Sequence, residues 1–422
     1  MGTGKRSAHV PELTRRDVMV TAASALAAPA MVRAQSLGSA PRALVVGAGV
    51  FGAWTAEHLR RTGHRVTLVD AWGPAHARAS SGGESRMTRG SYGKDRIYTQ
   101  LATESLPEWS RLSQRSELPL FHATGVLFFF PNADRYVTDT ADVHRSLGLP
   151  TQLLDGPAMR RRFPQIDFSG VEIGLYEPQF GALMARRAVQ ALVAQFARSG
   201  GTYEQEAVLP PSADGDRLSI VRTRSGRRLE ADRIVFACGP WMPKLFPELL
   251  GSRIFPTRQE VFFFQPEAGD RRFEPGSLPG WADFNGGDIY YGFPDLEGRG
   301  FKIAHDRHGP AMDPDTGDRT PGLEALADVR AFMERRFPAL AKRPLSESRV
   351  CQYENSANGD LLIDFHPSLR DVLLVGAGSG HGFKHGPAVG RYAAQLIAGT
   401  LPEKEARFSL ASKGNHQARD VH

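Results

Sequence analysis

Cysteine is nearly absent. Two occur in 422 residues, Cys238 and Cys351. Neither has a C-x-x-C partner, which excludes a disulfide-knit scaffold and a zinc ribbon. One disulfide between them stays open, although Cys238 closes a buried apolar run that belongs to a different part of the pattern. The histidines are scattered and suggest no metal site. Past the first forty residues, no segment is apolar for the ~20 residues a membrane helix needs. There is no internal repeat, so a repeat architecture is excluded. A strong charge of one sign is also lacking. The formal charge is +6, and residues 1–34 carry Lys5, Arg6, Arg15, Arg16 and Arg33 against Glu12 and Asp17. Without that leader about +3 remains, no argument for nucleic acid or a membrane surface as partner.

What is present is the composition of a soluble globular protein with two or three domains' worth of core. Residues 42–70, RALVVGAGVFGAWTAEHLRRTGHRVTLVD, organise the rest. Residues 43–46 are an apolar run of strand type. Gly47, Gly49 and Gly52 then stand as G-x-G-x-x-G. A helical stretch turns Ala53, Ala56 and Leu59 inward and Glu57, Arg60 and Arg61 outward. Gly63 closes it, and 66–69 is a second apolar run ending on Asp70. The first glycine makes a tight turn, the second admits a pyrophosphate, and the third lets helix and strand pack closely. The helix N-terminus offers N–H groups to the phosphates. Asp70 suits a ribose hydroxyl pair and repels a 2′-phosphate. This order predicts a Rossmann-type dinucleotide unit, and does not separate FAD from NAD.

Residues 1–34 read as a twin-arginine export signal, placing the mature protein in the periplasm or outside the cell. Arg15 and Arg16 precede Val18 to Val32, a weakly apolar run too short to span a membrane. Val32-Arg33-Ala34 suits a small-residue cleavage site. Val18 stands where such signals more often carry Phe.

Residues 71–92 read as a long loop, with Arg78, Arg86 and Arg89 spaced along it. Basic groups there could meet phosphate or carboxylate. Helices are expected at 96–114, 133–147, 183–198, 323–337 and from 387 to 398. Apolar strands are expected at 125–130, 233–238, 261–264, 289–291, 301–305 and 372–375, with Val208 in a strand-like piece. The return of nucleotide-fold pattern at 233–238 and 372–375 implies a cofactor domain assembled from separated segments.

Residues 376–390, GAGSGHGFKHGPAVG, follow a buried strand and open a helix, an arrangement able to stabilise negative charge. They resemble the C-terminal motif of the monomeric sarcosine oxidase family, flavin amine oxidases of the D-amino-acid-oxidase-like superfamily. SSGGESRMTRGSYG (80–93), PTRQEVFFF (256–264), IYYGFP (289–294), GFKIAH (300–305) and Cys351-Gln352-Tyr353 resemble the family in order and spacing. The resemblance runs from about 42 to 408.

It implies an α/β (α+β overall) protein with a Rossmann-type FAD-binding domain and a second, mixed-sheet substrate domain. The FAD domain would comprise 42–105, 180–245 and 345–408, the substrate domain 106–179 and 246–344, and a tail 409–422. It implies FAD as cofactor, held by Gly47, Gly49, Gly52, Asp70, Ser80, Ser81, Arg86, Val208, Gly378, Gly380 and Lys384. Cys351 matches the cysteine that forms a thioether to the flavin 8α carbon. Attachment through His76, or none, stays open. Arg89 and Lys384 match the pair that holds the substrate carboxylate. Lys302 matches the lysine that promotes reaction with O2. His305 matches the pocket histidine one residue short of its spacing from Lys302. Tyr291 and Tyr353 match pocket aromatics, and His381 a residue that contacts flavin or shapes the loop. WADFNGGD (281–288) departs from the bulkier side chain of small-substrate members near Ala282, implying a roomier pocket.

The implied activity is oxidation of an N-methyl or N-alkyl α-amino acid such as sarcosine to an imine, followed by hydrolysis, with O2 giving H2O2. A dehydrogenase feeding a quinone or carrier, or an oxidase of cyclic imino acids or fructosyl amino acids, is the alternative. Expected partners are a small amino-acid substrate and O2, with no nucleic acid and no membrane span, in a monomer.

Overall fold

Parallel pairing needs crossovers, and the first one is the 42–70 unit. Strand Arg42–Val46 runs parallel to Arg65–Asp70, with helix Val50–Arg61 between them. The computed structural model describes residues 1–2, 40–213, 215–285, 289–307 and 309–417. The expected export signal at 1–34 lies, apart from Met1 and Gly2, outside the described residues. Residues from Pro41 onward form one compact unit.

A six-stranded sheet is ordered Leu362–Phe365, Val372–Gly376, Arg233–Phe236, Arg42–Val46, Arg65–Asp70 and Thr202–Gln205. All its pairs are parallel except the first. These strands carry Leu, Val and Ile on both faces because both faces are covered. Leu44, Ile234 and Leu374 bury into one cluster; Val45, Val235 and Val375 bury into another with helices Val50–Arg61, Ala185–Arg198 and Gly386–Ala398. Each fully buried Leu, Val or Ile contributes about 1.5–3 kcal/mol, so this two-sided packing holds the cofactor-facing turns in place.

A second sheet of eight strands is ordered Leu345–Ser356, Ile254–Phe264, Phe301–Asp306, Ile289–Phe293, Gly280–Asp283, Val126–Phe130, Ile173–Glu177 and Gln152–Asp155. It is antiparallel apart from the pairing of Gly280–Asp283 with Val126–Phe130. Its two long strands pair from Ile254↔Ser356 to Phe264↔Leu345. Helix Leu323–Arg336 covers one face, where Trp281, Phe301, Phe332 and Phe337 pack together.

Several expectations need correcting. The loop expected over 71–92 contains strand Ser85–Thr88, which pairs with Gly181–Met184. That second strand takes Leu183 out of the expected helix, which begins at Ala185. Leu345–Ser356, assigned above to the 345–408 cofactor segment, is an edge strand of the eight-stranded sheet, because it pairs with Ile254–Phe264 from end to end apart from a bulge at Ser346. Glu57 points not to solvent but into a 1% exposed position, where Arg60 and Arg61 pair with it. Among the described residues no helix is long and apolar enough to cross a membrane.

Candidate active site

The turn after the first strand is shaped by its glycines. Gly47 has φ +103°, and a Cβ there would lie 2.4 Å from the Ala237 carbonyl oxygen; a Cβ on Gly52 would lie 1.8 Å from the Gly47 carbonyl oxygen. Gly49 differs: its Cβ would meet only Ser81 Oγ, at 3.6 Å. Packing does not require glycine there, so its value lies in room for a ligand. Asp70 binds the turn itself, accepting from Ala48 N (2.8 Å), Trp72 N (2.9 Å) and Gly73 N (2.9 Å). Ser81 Oγ accepts from Val50 N at 3.1 Å, at the helix N-terminus.

Gly47, Gly49, Val50, Asp70 and Ser81 line a cleft of about 340 Å³. Of the sequence-predicted cofactor residues, Gly47, Gly49, Asp70, Ser80, Ser81, Arg86, Val208, Gly378 and Gly380 line it; Gly52, Cys351 and Lys384 do not. Val208 sits in an isolated bridge to Thr223. His76 also lines it, packed against Trp72 and Trp241 at 4.8 and 5.8 Å between rings. Burial pushes the His76 imidazole below its ordinary value. The fit to a dinucleotide is good: a tight glycine turn, a helix N-terminus and an acid border one long cleft.

A buried cluster adjoins the cleft. Tyr353, which lines it, packs so close to Gly380 that a Cβ there would meet its ring at 2.7 Å. Its hydroxyl donates to Asp306 Oδ1 at 3.1 Å. Arg86 interacts with Cys351, Tyr291 and Tyr353 together, and donates to the Ser80 carbonyl at 2.8 Å. Cys351 is buried in a small apolar group with Phe263, Ala304 and Tyr291. Both cysteine thiols are free. Lys302 is 1% exposed and donates to the Ser85 carbonyl at 2.9 Å and Ser85 Oγ at 3.2 Å. Burial, with Arg86 nearby, lowers its ammonium to about 7.

Two further cations meet at Tyr92. Arg89 lies 4.0 Å over the Tyr92 ring and donates to the Ser91 carbonyl. Lys384 donates to the Tyr92 hydroxyl at 2.7 Å and to the His381 carbonyl at 2.6 Å. Their exposures are 6% and 4%. Arg89 comes from the loop after Ser85–Thr88, and Lys384 from the turn before Gly386–Ala398. Glu177, fully buried, steadies the Arg89 loop by accepting from Gly90 N at 2.8 Å. His381 bridges Tyr92 and the Gly359 carbonyl, both at 3.1 Å, and so shapes the glycine loop.

His305 is not with them. It pairs across the sheet with Tyr290, stacks on it at 4.2 Å and meets Asp328 at 2.9 Å under helix Leu323–Arg336. Strand alternation explains this: Lys302, Ala304 and Asp306 share one face, and Ile303 and His305 the other. Asp306, which sequence reasoning missed, takes the place on the Tyr353 face. The alternation counted from Lys302 was the available signal. Tyr92, Glu177 and Glu354 were also missed; only Tyr92 stood inside a quoted motif. Ala282 is buried against Phe128 and Ile289, while residues 286–288 of the departing stretch lie outside the described residues.

A dinucleotide cleft beside a buried cation and aromatic cluster defines a nucleotide-dependent redox protein. The profile of the family described as DAO, FAD dependent oxidoreductase, matches residues 42–396, and the chain belongs to that family. It is similar to monomeric sarcosine oxidase of Bacillus sp. (strain B-0618), 31% identical over 373 residues, covering 87% of this chain and 95% of the relative. It is also similar to N-methyl-L-tryptophan oxidase of Salmonella arizonae, 28% identical over 371 residues, covering 87% and 96%. Its fold is that of L-proline dehydrogenase from P. horikoshii, with TM-score 0.76, 21% identity, and 89% and 98% of the two chains covered. This is an FAD-dependent oxidoreductase with monomeric sarcosine oxidase and N-methyl-L-tryptophan oxidase among its relatives.

Proposed function

We propose that the protein oxidises a secondary α-amino acid of N-methyl or N-alkyl type, sarcosine-like substrates first, to an imine that water hydrolyses, with O2 reduced to H2O2. The observation that carries this is the pair Arg89 and Lys384. Two cations from different segments are buried together on one tyrosine, Arg89 over its ring and Lys384 on its hydroxyl. Two cations brought to one point suit a substrate carboxylate, which both can grip with charge-assisted hydrogen bonds. A carboxylate held at two points fixes the rotation of the amino acid, which supplies most of the rate through positioning.

FAD, when bound, supplies the two-electron acceptor. Gly47, Gly49, Ser81 and the start of helix Val50–Arg61 would hold its phosphates, and Asp70 its ribose. Cys351, buried beside Arg86, would be the covalent attachment point. Lys302 places a cation behind the aromatic cluster, where it would stabilise the charge that develops on O2. The relatives, a monomeric sarcosine oxidase and an N-methyl-L-tryptophan oxidase, support an N-methyl amino acid as substrate. Export by the twin-arginine route, with removal of residues 1–34, and a monomeric state belong to the same proposal; the leader's arginine pair supports the first.

The test is an absorbance spectrum before and after acid precipitation, followed by a peroxide screen over N-methyl amino acids, cyclic imino acids and sugar–amino-acid adducts. Flavin retained in the precipitate and peroxide formed with an N-methyl amino acid are expected. Dye reduction without peroxide would move the reading to a dehydrogenase. Absence of turnover with every amine bearing a carboxylate would overturn it.

A further inference from the structure

Glu354 is used by nothing described above. It follows Tyr353 on strand Leu345–Ser356, is 6% exposed, and lines the FAD cleft. Its Oε1 accepts from Gly378 N at 3.3 Å. Its Oε2 is buried and has no hydrogen-bond partner among the described residues. Glycines surround the carboxyl: a Cβ on Gly376 would lie 3.4 Å from Oε2, and one on Gly239 3.6 Å. At these nearest positions the turn and the loop carry no side chain. An oxygen left unsatisfied inside a ligand cleft is satisfied by the ligand.

We propose that Glu354 enters the cleft as an uncharged acid and donates a hydrogen bond from Oε2 to an acceptor oxygen of the bound FAD. This rests on the cleft being the FAD site. A carboxylate there would meet a dinucleotide that is itself anionic, so ionisation would exchange a donor for a repulsion. The surroundings favour the neutral form. Burial raises the carboxyl to about 7, against the backbone N–H groups of Gly378 and Ala377. From the turn after Arg233–Phe236 the titratable neighbour is Cys238, whose thiol is pushed far up by burial and by the carboxylates of Asp70 and Glu354. From the loop 376–382 His381 turns away to Tyr92 and Gly359. From helix Val50–Arg61 the side chain at hand is Phe51, which carries no charge. Glu354 is therefore the group of this cluster that changes charge near neutrality.

The experiment is FAD titration of the full chain carrying Cys351→Ser, so that binding is reversible, followed by flavin fluorescence from pH 6 to pH 9. The dissociation constant should rise about tenfold or more across that range as the donor is lost. Glu354→Gln in the same chain keeps a donor at every pH, so its affinity should be flat and should exceed that of its parent at pH 9. Equal slopes in the two chains, or a flat parent, would overturn the proposal while leaving FAD in the cleft. Failure of FAD to bind at any pH would overturn both. Infrared difference spectra on adding FAD to the Cys351→Ser chain at pH 6 do not depend on the glutamine variant folding. A protonated-carboxyl band that shifts on binding supports the donor, and its absence overturns it.

Discussion

Lys384→Met tests the carboxylate clamp most directly. Methionine keeps most of the length of the side chain and removes the charge. The ammonium is 4% exposed and holds the Tyr92 hydroxyl and the His381 carbonyl. Truncating one partner of a buried charge pair costs about 2–5 kcal/mol. Arg89 would remain, so the low half of that range applies, a loss of roughly 30- to 300-fold in kcat/KM by the ~1.4 kcal/mol per tenfold rule. The assay is anaerobic reduction of the flavin by an N-methyl amino acid, run beside the corresponding amine without its carboxylate. The variant should lose its preference for the acid while reducing with the plain amine at the parent rate. A simple carboxylate ligand should lose affinity by a similar factor. An unchanged preference, or equal losses for acid and amine, would refute the clamp.

Lys302→Met should slow reoxidation of the reduced enzyme by O2 by about 100-fold or more, the scale of removing one stabilising group, while flavin reduction by substrate is nearly unchanged; stopped-flow separates the two. With its ammonium lowered to about 7, Lys302 is charged below that pH and neutral above it. The parent's O2 step should therefore be fastest below pH 7 and decline as pH rises, and Lys302→Met should lose that decline. Cys351→Ala should release its flavin on acid precipitation if the parent does not. Gly52→Ala forces a Cβ 1.8 Å from the Gly47 carbonyl and should lower stability by about 1–3 kcal/mol or more, seen as a lower denaturant midpoint. Gly49→Ala should keep the midpoint and weaken FAD instead. Asp306→Asn should change kcat/KM for amino acids, whereas His305→Ala should lower stability and leave substrate affinity alone.

Much of the cofactor half was legible along the chain. The 42–70 unit declares itself because a Rossmann turn needs its glycines, helix and acid at short fixed spacing, and local spacing is what a sequence displays. The helix expected at 96–114 stands at Arg96–Gln114, since its apolar positions recur with a helical period. The strand hidden at Ser85–Thr88 was not legible. It is short, polar and glycine-flanked, and it exists because Gly181–Met184 offers a partner about ninety residues away. His305 shows a different failure: similarity of motif pointed to the histidine, while the two-residue period of the strand sent it to the opposite face.

The order of residues along the chain sets the dinucleotide turn, the sarcosine oxidase-like motifs and the residue types available for chemistry. Which of them meet is settled by the packed fold. It brings Arg89 and Lys384 onto Tyr92, sets Asp306 rather than His305 beside Tyr353, and leaves Glu354 Oε2 buried in the cleft. Each of these is a contact between segments distant along the chain. Such contacts are selected by the packing of two sheets and their covering helices, and the free energy of that packing is spread over the whole core rather than written at any one position.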